Sequence, residues 1–272
     1  MAVKQIVETK RVDDDFELPD SLSTPEINPQ SIILFGLPKC GKTTLLSKLD
    51  NCLIIDTENG SDKISGLIKK VPDKGPVGKM IWLDQFADFL IAKGKPYDYV
   101  AIDTFSEVND MAEWSGTYRY MNSVQGQKFN RERDDTGEPI KKGPMLKPNH
   151  PDYDSVHNLG EGFGYRWSRE DTLRVFEKYM RVARKCVFFI CHVEDKFIAL
   201  KENTETLVPK QLALTGKLRN ILPRKVDAIG YVYNEDGEIK VNFTGSEERV
   251  GGSRAKHLQG YNDVADWSKI FI

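Results

Sequence analysis

The sequence predicts an α/β fold with a central, mostly parallel sheet flanked by helices. Short apolar segments of strand length alternate with segments whose apolar residues recur at helical spacing. This alternation is typical of parallel strands joined by helical crossovers. The last two strand-like segments are joined by a short turn at 235–237, which predicts an antiparallel extension at the C-terminal end.

The predicted elements follow one another in a regular order from Ser31 onward. Strands are predicted at 31–35, 52–56, 97–103 and 186–192, with the two strands of the extension at 226–233 and 238–243. Helices are predicted at 42–49, 64–71, 80–94 and 168–184.

An N-terminal arm and two long segments interrupt this order. Residues 1–30 are polar and acid-rich, so we expect an extended arm before one domain that spans 31–272. Residues 115–165 form a long insertion with few aliphatic side chains, and 193–217 is predicted to form a hairpin that turns near 202–205. Connections of this length inside a compact domain are usually functional or disordered.

Composition limits the kinds of partner. The chain has 272 residues, 39 of them basic and 41 acidic, for a net charge of −2, so any nucleic-acid contact must come from a local basic patch. No segment approaches the roughly 20 apolar residues of a membrane-spanning helix. The N-terminal segment also lacks the apolar core of a signal peptide. We therefore expect a cytoplasmic protein without membrane contact.

The segment 36–43 carries the most specific motif. It reads GLPKCGKT and fits the phosphate-binding pattern GxxxxGK[ST], with a predicted strand before it and a predicted helix after it. The glycines let backbone N–H groups point at phosphate oxygens, and the helix adds the positive end of its dipole. A chance glycine turn is disfavoured by the full match and its flanking elements. We predict that ATP with Mg²⁺ is bound by Gly36, Leu37, Pro38, Lys39, Cys40, Gly41, Lys42, Thr43 and Thr44.

Individual roles follow from the chemistry of this phosphate loop. Lys42 is expected to reach the β- and γ-phosphates, and the Thr43 hydroxyl to bind magnesium. Asp103 ends the strand 97–103 and fits the position at which a carboxylate holds magnesium directly or through water. Asp56 and Glu58 lie at the end of the strand 52–56. A lone acid at a strand end can equally be a solvated cap, but acids on both strands favour a hydrolytic site.

The segment Asp56–Thr57–Glu58 resembles the RecA-type ATPases. The resemblance implies that Glu58 is the general base that activates the attacking water. It also implies that His192, at the end of the strand 186–192, holds the place of a polar sensor of the γ-phosphate. A strand-end histidine bonded to backbone remains the alternative for His192.

More narrowly, residues 31–260 are similar to phage-encoded RecA-like ATPases that assist single-strand annealing recombination. The similarity lies in the segments IDTENG, YDYVAIDT, GYRW, FFICHVED and LTGKLRNILPRKVDAIGYV. It implies a host-cytoplasmic, DNA-stimulated ATPase that forms a homo-oligomeric ring or filament on single-stranded DNA, beside a single-strand-binding protein.

The same resemblance places two segments against DNA, 115–165 and 193–217. The first combines basic and aromatic side chains, which suit backbone attraction and base stacking, although a solvated insertion is an open alternative. These residues are Tyr118, Arg119, Tyr120, Lys128, Phe129, Arg131, Arg133, Lys141, Lys142 and Lys147.

RecA-like ATPases commonly take a basic residue from the neighbouring subunit to the γ-phosphate. The segment 248–256 resembles that trans-acting finger in its position, and Arg254 and Lys256 are the candidates because two glycines precede them. An ordinary surface hairpin is equally compatible.

Two competing hypotheses concern the whole chain. One is a nucleotide-gated loader or regulatory P-loop protein with little turnover and no direct DNA binding. The other, a small-molecule P-loop kinase, is disfavoured by the order of the acids and by the late hairpin.

Overall fold

A computed structural model describes residues 23–194, 210–246 and 249–272. Its strands are β1 (Ser31–Gly36), β2 (Cys52–Asp56), β3 (Leu67–Lys70), β4 (Tyr99–Asp103), β5 (Cys186–Glu194), β6 (Gln211–Leu212), β7 (Ala228–Glu235), β8 (Glu238–Asn242), β9 (Gly252–Ser253) and β10 (Asn262–Val264). Its helices are α1 (Lys42–Leu46), α2 (Gly75–Ala92), α3 (Phe105–Met121), α4 (Tyr165–Tyr179), α5 (Leu218–Lys225) and α6 (Trp267–Ile270).

One sheet organises these elements in the order β3-β2-β4-β5-β1-β7-β8-β10. The first six of these strands are parallel, whereas β8 runs antiparallel to β7 and β10 antiparallel to β8. The predicted mostly parallel sheet with an antiparallel C-terminal extension is therefore confirmed. Because β5 lies between β1 and β4, the carboxyl ends of these three strands meet at one edge of the sheet.

Helices cover both faces of the sheet because successive apolar residues of its strands point to opposite faces. Ile33 and Phe35 of β1 pack into the layer formed with α2, α3, α4 and α5, and Ile32 and Leu34 pack into the layer formed with α1 and α6. The Trp267 indole N–H of α6 donates to the Leu45 carbonyl oxygen at 2.9 Å, which fastens the C-terminal segment to α1. Among the described residues, no helix is both long and apolar enough to cross a bilayer.

One predicted element is wrong: residues 64–71 do not form a helix. Ile64, Leu67, Ile68 and Val71 recur at helical spacing, but the segment pairs in parallel with the open edge of β2 as strand β3. Pairing with a free strand edge outweighs a weak helical pattern in so short a segment.

Other boundaries moved without a change of type. The predicted helix 168–184 begins at Tyr165 and ends at Tyr179, because the following turn leads into β5. Antiparallel pairing of Val193 with Leu212 supports the hairpin predicted at 193–217. Its predicted turn at 202–205, like residues 1–22 of the arm, lies outside the described residues.

Buried polar side chains hold the segment 122–164 together internally and fasten it to α3. The Asn130 side chain donates to the Asp154 carbonyl oxygen at 2.8 Å and accepts from the Asp154 N–H at 2.8 Å. The Arg131 guanidinium donates to the Met121 carbonyl oxygen at 2.6 Å. Buried hydrogen-bonded groups of this kind specify one packing arrangement, so the segment is built onto the domain.

Candidate nucleotide-binding site

The phosphate loop joins β1 to α1, and two of its glycines are required by close contacts. A Cβ added to Gly36 would lie 2.2 Å from the Val232 carbonyl oxygen. Gly41 adopts a left-handed φ of 101°, and an added Cβ would lie 2.5 Å from Ile239 Cδ1. Glycine alone fits such positions without strain. The two glycines of the motif thus serve the shape of the loop.

Lys42 is held at the centre of the loop. Its ammonium donates to the carbonyl oxygens of Gly36 at 2.9 Å and Leu37 at 2.8 Å, and the residue is only 6% exposed. Carbonyl oxygens offset part of the cost of burying the charge but do not neutralise it. The loop therefore presents a desolvated cation that favours a polyanion such as a triphosphate.

Thr43 and Asp103 form a pair of oxygen ligands beside Lys42. The Thr43 hydroxyl donates to Asp103 Oδ2 across the gap between α1 and β4. Burial raises the pKa of the Asp103 carboxyl, and the Thr43 hydrogen bond opposes that rise. Magnesium prefers hard oxygen ligands and is usually bound by one or two protein groups together with phosphates. The two residues fit a magnesium site, and they would hold the ion.

Glu58 and His192, for which the resemblance implies the roles of general base and sensor, contact each other. His192 Nε2 lies 2.9 Å from Glu58 Oε1, and the Thr104 hydroxyl donates to the same oxygen at 2.6 Å. The hydrogen bond from His192 lowers the pKa of Glu58, with smaller contributions from Thr104 and from the charge of Lys42, against the opposing effect of burial. Glu58 is therefore ionised at neutral pH.

The backbone of His192 is fixed by a hydrogen bond to Ser106. Its N–H donates to Ser106 Oγ at 3.0 Å. Its Nδ1 is buried and has no hydrogen-bond partner among the described residues. The histidine thus contacts Glu58 with one ring nitrogen, and its role as a sensor of the γ-phosphate stays a prediction.

Asp56, the other acid at the end of β2, has a structural role. It is 3% exposed, and its carboxylate accepts from the backbone N–H groups of Glu58, Gly60 and Ser61 and from the Ser61 hydroxyl. These bonds tie both carboxylate oxygens to the backbone and side chain of the following turn. Asp56 thus shapes the turn that presents Glu58.

Thr104 is a functional residue that sequence reasoning missed. Besides its bond to Glu58, it is the N-cap of α3, where its side chain accepts from the Glu107 N–H. A threonine directly after the strand-end acid, with a glutamate three residues later, is a capping-box signature that the sequence does display.

These residues surround a cavity of about 410 Å³, within the usual size of small-molecule sites. It is lined by Pro38, Lys39, Gly41, Lys42, Thr43, Thr44, Asp56, Glu58, Gly60, Ser61, Ile64, Asp103, Thr104 and His192. Of the predicted loop residues, Gly36, Leu37 and Cys40 do not line it, although Gly36 and Leu37 hold Lys42.

Arg254 and Lys256 lie away from this cavity. The Arg254 guanidinium donates to the Arg224 carbonyl oxygen at 2.6 Å and lies 3.4 Å from Asp227, which directly precedes β7. The site lies at the carboxyl ends of the parallel strands. Arg254 lies at the amino end of β7, on the opposite side of the sheet from the site. Lys256 begins a single 3-10 turn that follows Arg254. Contact with the γ-phosphate of another subunit stays a prediction.

The comparisons with known proteins bear on the whole domain. The model of a family described as an AAA domain matches residues 28–255, which include every residue that lines the cavity. No curated protein matches the chain.

Proposed function

The chain belongs to the AAA domain family and contains a P-loop ATPase domain, and from this premise we propose that it hydrolyses ATP while acting on single-stranded DNA. The observation that supports hydrolysis best is the convergence of Lys42, Thr43, Asp103, Glu58 and His192 on one cavity. Cation, metal ligands and base are the parts that phosphoryl transfer to water requires.

Each residue has a distinct task in the proposed reaction. Lys42 offsets negative charge on the β- and γ-phosphates, and Thr43 with Asp103 holds Mg²⁺. When bound, magnesium neutralises charge that develops on the transferring phosphoryl group. Glu58 accepts a proton from the attacking water, and His192 and Thr104 hold its carboxylate in position.

The DNA part of the proposal rests on the resemblance to annealing-associated ATPases and on surface chemistry. Tyr118, Lys141, Lys142 and Lys147 are exposed. Other residues expected to touch DNA serve packing instead. Tyr120 is 9% exposed between Phe129 and Trp167, Arg119 pairs with Glu170 and Asp171, and Arg131 is buried. We narrow the proposed contacts of this segment to its exposed lysines, Arg133 and Tyr118.

The proposal also covers the oligomeric state of the chain and the cellular process in which it acts. We propose a homo-oligomer in the cytoplasm, a ring or filament on the DNA strand, in phage recombination beside a single-strand-binding protein. These features follow from the resemblance alone.

Fluorescence anisotropy with a labelled oligothymidylate, with and without ATP, tests the DNA contact. Replacing Lys141, Lys142 and Lys147 with glutamine should reduce the log–log salt slope by roughly two units, since each phosphate contact on a single strand contributes about 0.7. Tyr118→Ala should weaken binding with little change in slope, because stacking is not ionic.

The matched control replaces three lysines outside this segment, Lys69 on the edge strand β3 and Lys93 and Lys95 just after α2, and should leave the slope unchanged. Absence of binding by the wild-type chain at low salt, with and without ATP, would refute the DNA function. Nucleotide binding with little turnover would then favour a loader or regulatory protein.

A further inference from the structure

A second cavity, here called the outer cavity, adjoins the phosphate loop on its β7 side. It measures about 480 Å³ and includes Leu37, Lys39, Lys210, Tyr231, Tyr233 and Arg249 among its lining residues. The nucleotide cavity lies on the other side of the loop, toward the ends of β5, β4 and β2. Lys39 lines both cavities, so the loop itself is the wall between them.

The outer cavity is cationic. Lys39, Lys210 and Arg249 all line it, and none of the described residues that line it is acidic. Arg249 Nε is buried and has no hydrogen-bond partner among the described residues. Leaving a buried donor of a charged group unpaired is costly, so the site favours an anion that accepts from the guanidinium.

Lys210 is held in place by Tyr231, whose ring stacks on that of Tyr233. Its ammonium donates to the Tyr231 hydroxyl at 3.1 Å and lies 5.1 Å from the centre of the Tyr231 ring. The Tyr231 and Tyr233 rings stack with centres 5.8 Å apart. The segment containing Lys210 is tied to Arg249, because the Val250 N–H donates to the Lys210 carbonyl oxygen at 3.3 Å. The two cations are thus presented together by paired backbone segments.

We propose that the outer cavity binds a phosphodiester group of a single-stranded nucleic acid, which therefore contacts the reverse side of the ATP-binding loop. The inference rests on the proposed action on single-stranded DNA and identifies where the strand meets the nucleotide machinery. An arginine fork beside a lysine suits phosphate oxygens, and the volume admits a whole nucleotide unit rather than one carboxylate. Leu37, 46% exposed at the rim, adds an apolar surface for a base or sugar.

The phosphate loop shared by the two cavities should couple the binding of DNA to the binding of ATP. A phosphodiester bound by Lys210 and Arg249 contacts the same loop whose Gly36 and Leu37 carbonyl oxygens hold Lys42. If the two ligands favour one loop conformation, DNA raises the affinity for ATP by the factor by which ATP raises the affinity for DNA. Removing the two cations should abolish this reciprocal effect.

The test uses the full chain, a fluorescein-labelled oligothymidylate and a non-hydrolysable ATP analogue. The variant Lys210→Gln with Arg249→Gln removes two cations, and Lys69→Gln with Lys93→Gln is the charge-matched control. At 0.1 M salt, each lost phosphate contact should weaken binding about fivefold, so we expect about 25-fold for the double variant and a salt slope smaller by about 1.4. The control should bind like the wild type, and Arg249→Lys, which keeps the charge but not the fork, should keep the wild-type salt slope while losing part of the affinity.

Affinity for the labelled ATP analogue in the absence of DNA monitors folding and should be unchanged in every variant. If the wild type and the double variant bind the oligonucleotide equally well, the outer cavity is not a nucleic-acid site, although the DNA function survives. If the wild type binds no oligonucleotide, both proposals fail. If the double variant instead loses self-association in DNA-free sedimentation, the cavity holds an acidic group of a second copy, which overturns the inference.

Discussion

The substitution Glu58→Gln tests whether Glu58 accepts a proton, because it can leave the contacts that position this side chain in place. Both hydrogen bonds to the carboxylate, from Thr104 at 2.6 Å and His192 at 2.9 Å, reach the same oxygen, Oε1. A glutamine can keep an oxygen at that position and so preserve both contacts, while its amide cannot accept a proton. The fold and the affinity for ATP should therefore be retained.

The expected loss falls on turnover. General-base catalysis contributes about 10²- to 10⁴-fold, so kcat should fall by that factor, equivalent to about 2.7–5.5 kcal/mol of transition-state stabilisation. Steady-state phosphate release measures kcat, and a fluorescent ATP analogue measures binding. Glu107→Gln is the control, because Glu107 lies on α3 near Glu58 but does not line the cavity. Turnover within a few-fold of wild type in Glu58→Gln would refute the assignment of Glu58 as the base.

Three further predictions follow from the site. Since hydrogen bonding lowers the pKa of Glu58, its protonation should cost activity only below the ordinary glutamate value of about 4.3, and a pH–rate profile in which this base titrates above that value would contradict the pairing. Asp103→Asn should abolish magnesium-dependent hydrolysis yet raise the thermal midpoint at neutral pH, because burial raises the pKa of Asp103 and so disfavours its charged form; a lowered midpoint by scanning calorimetry would count against this. Arg254→Ala mixed with Lys42→Ala should recover some hydrolysis if Arg254 acts in trans, and mixtures that stay inactive would argue for a purely structural ion pair with Asp227.

Glu58 should make the free energy of unfolding depend on pH. Its pKa is lowered in the folded chain, so its stabilising contribution is present above the unfolded-state value and is lost as the pH falls through the folded-state value. Thermal midpoints of wild type and Glu58→Gln should therefore converge in acid. Midpoints that diverge as the pH falls would contradict the observed pairing.

The sequence allowed the sheet and the phosphate loop to be predicted because both depend on local patterns. Strand length, glycine spacing and strand-end acids are visible in consecutive residues. The helix predicted at 64–71 was wrong because pairing with the neighbouring strand β2, and not the segment's own periodicity, decides its structure. The role of Tyr120 was likewise set by partners elsewhere in the chain, Phe129 and Trp167, whereas Asp56 is bound by N–H groups of the turn that directly follows it.

The outer cavity was not predictable for the same reason. Lys39, Lys210 and Arg249 lie in three separate segments, and only the order of β1 and β7 and the pairing of Lys210 with Arg249 bring them together. No spacing in the sequence connects them. Sites built from distant segments depend on topology, which local patterns specify only indirectly.

The most direct test of the central claim is magnesium-dependent phosphate release from ATP by the wild-type chain and by Lys42→Ala. The ammonium of Lys42 is the desolvated cation of the loop, and its removal should eliminate nucleotide binding while leaving the fold intact. We predict hydrolysis by the wild type and background rates in the variant. No release by the wild type with or without single-stranded DNA, or equal rates in the two proteins, would contradict the account.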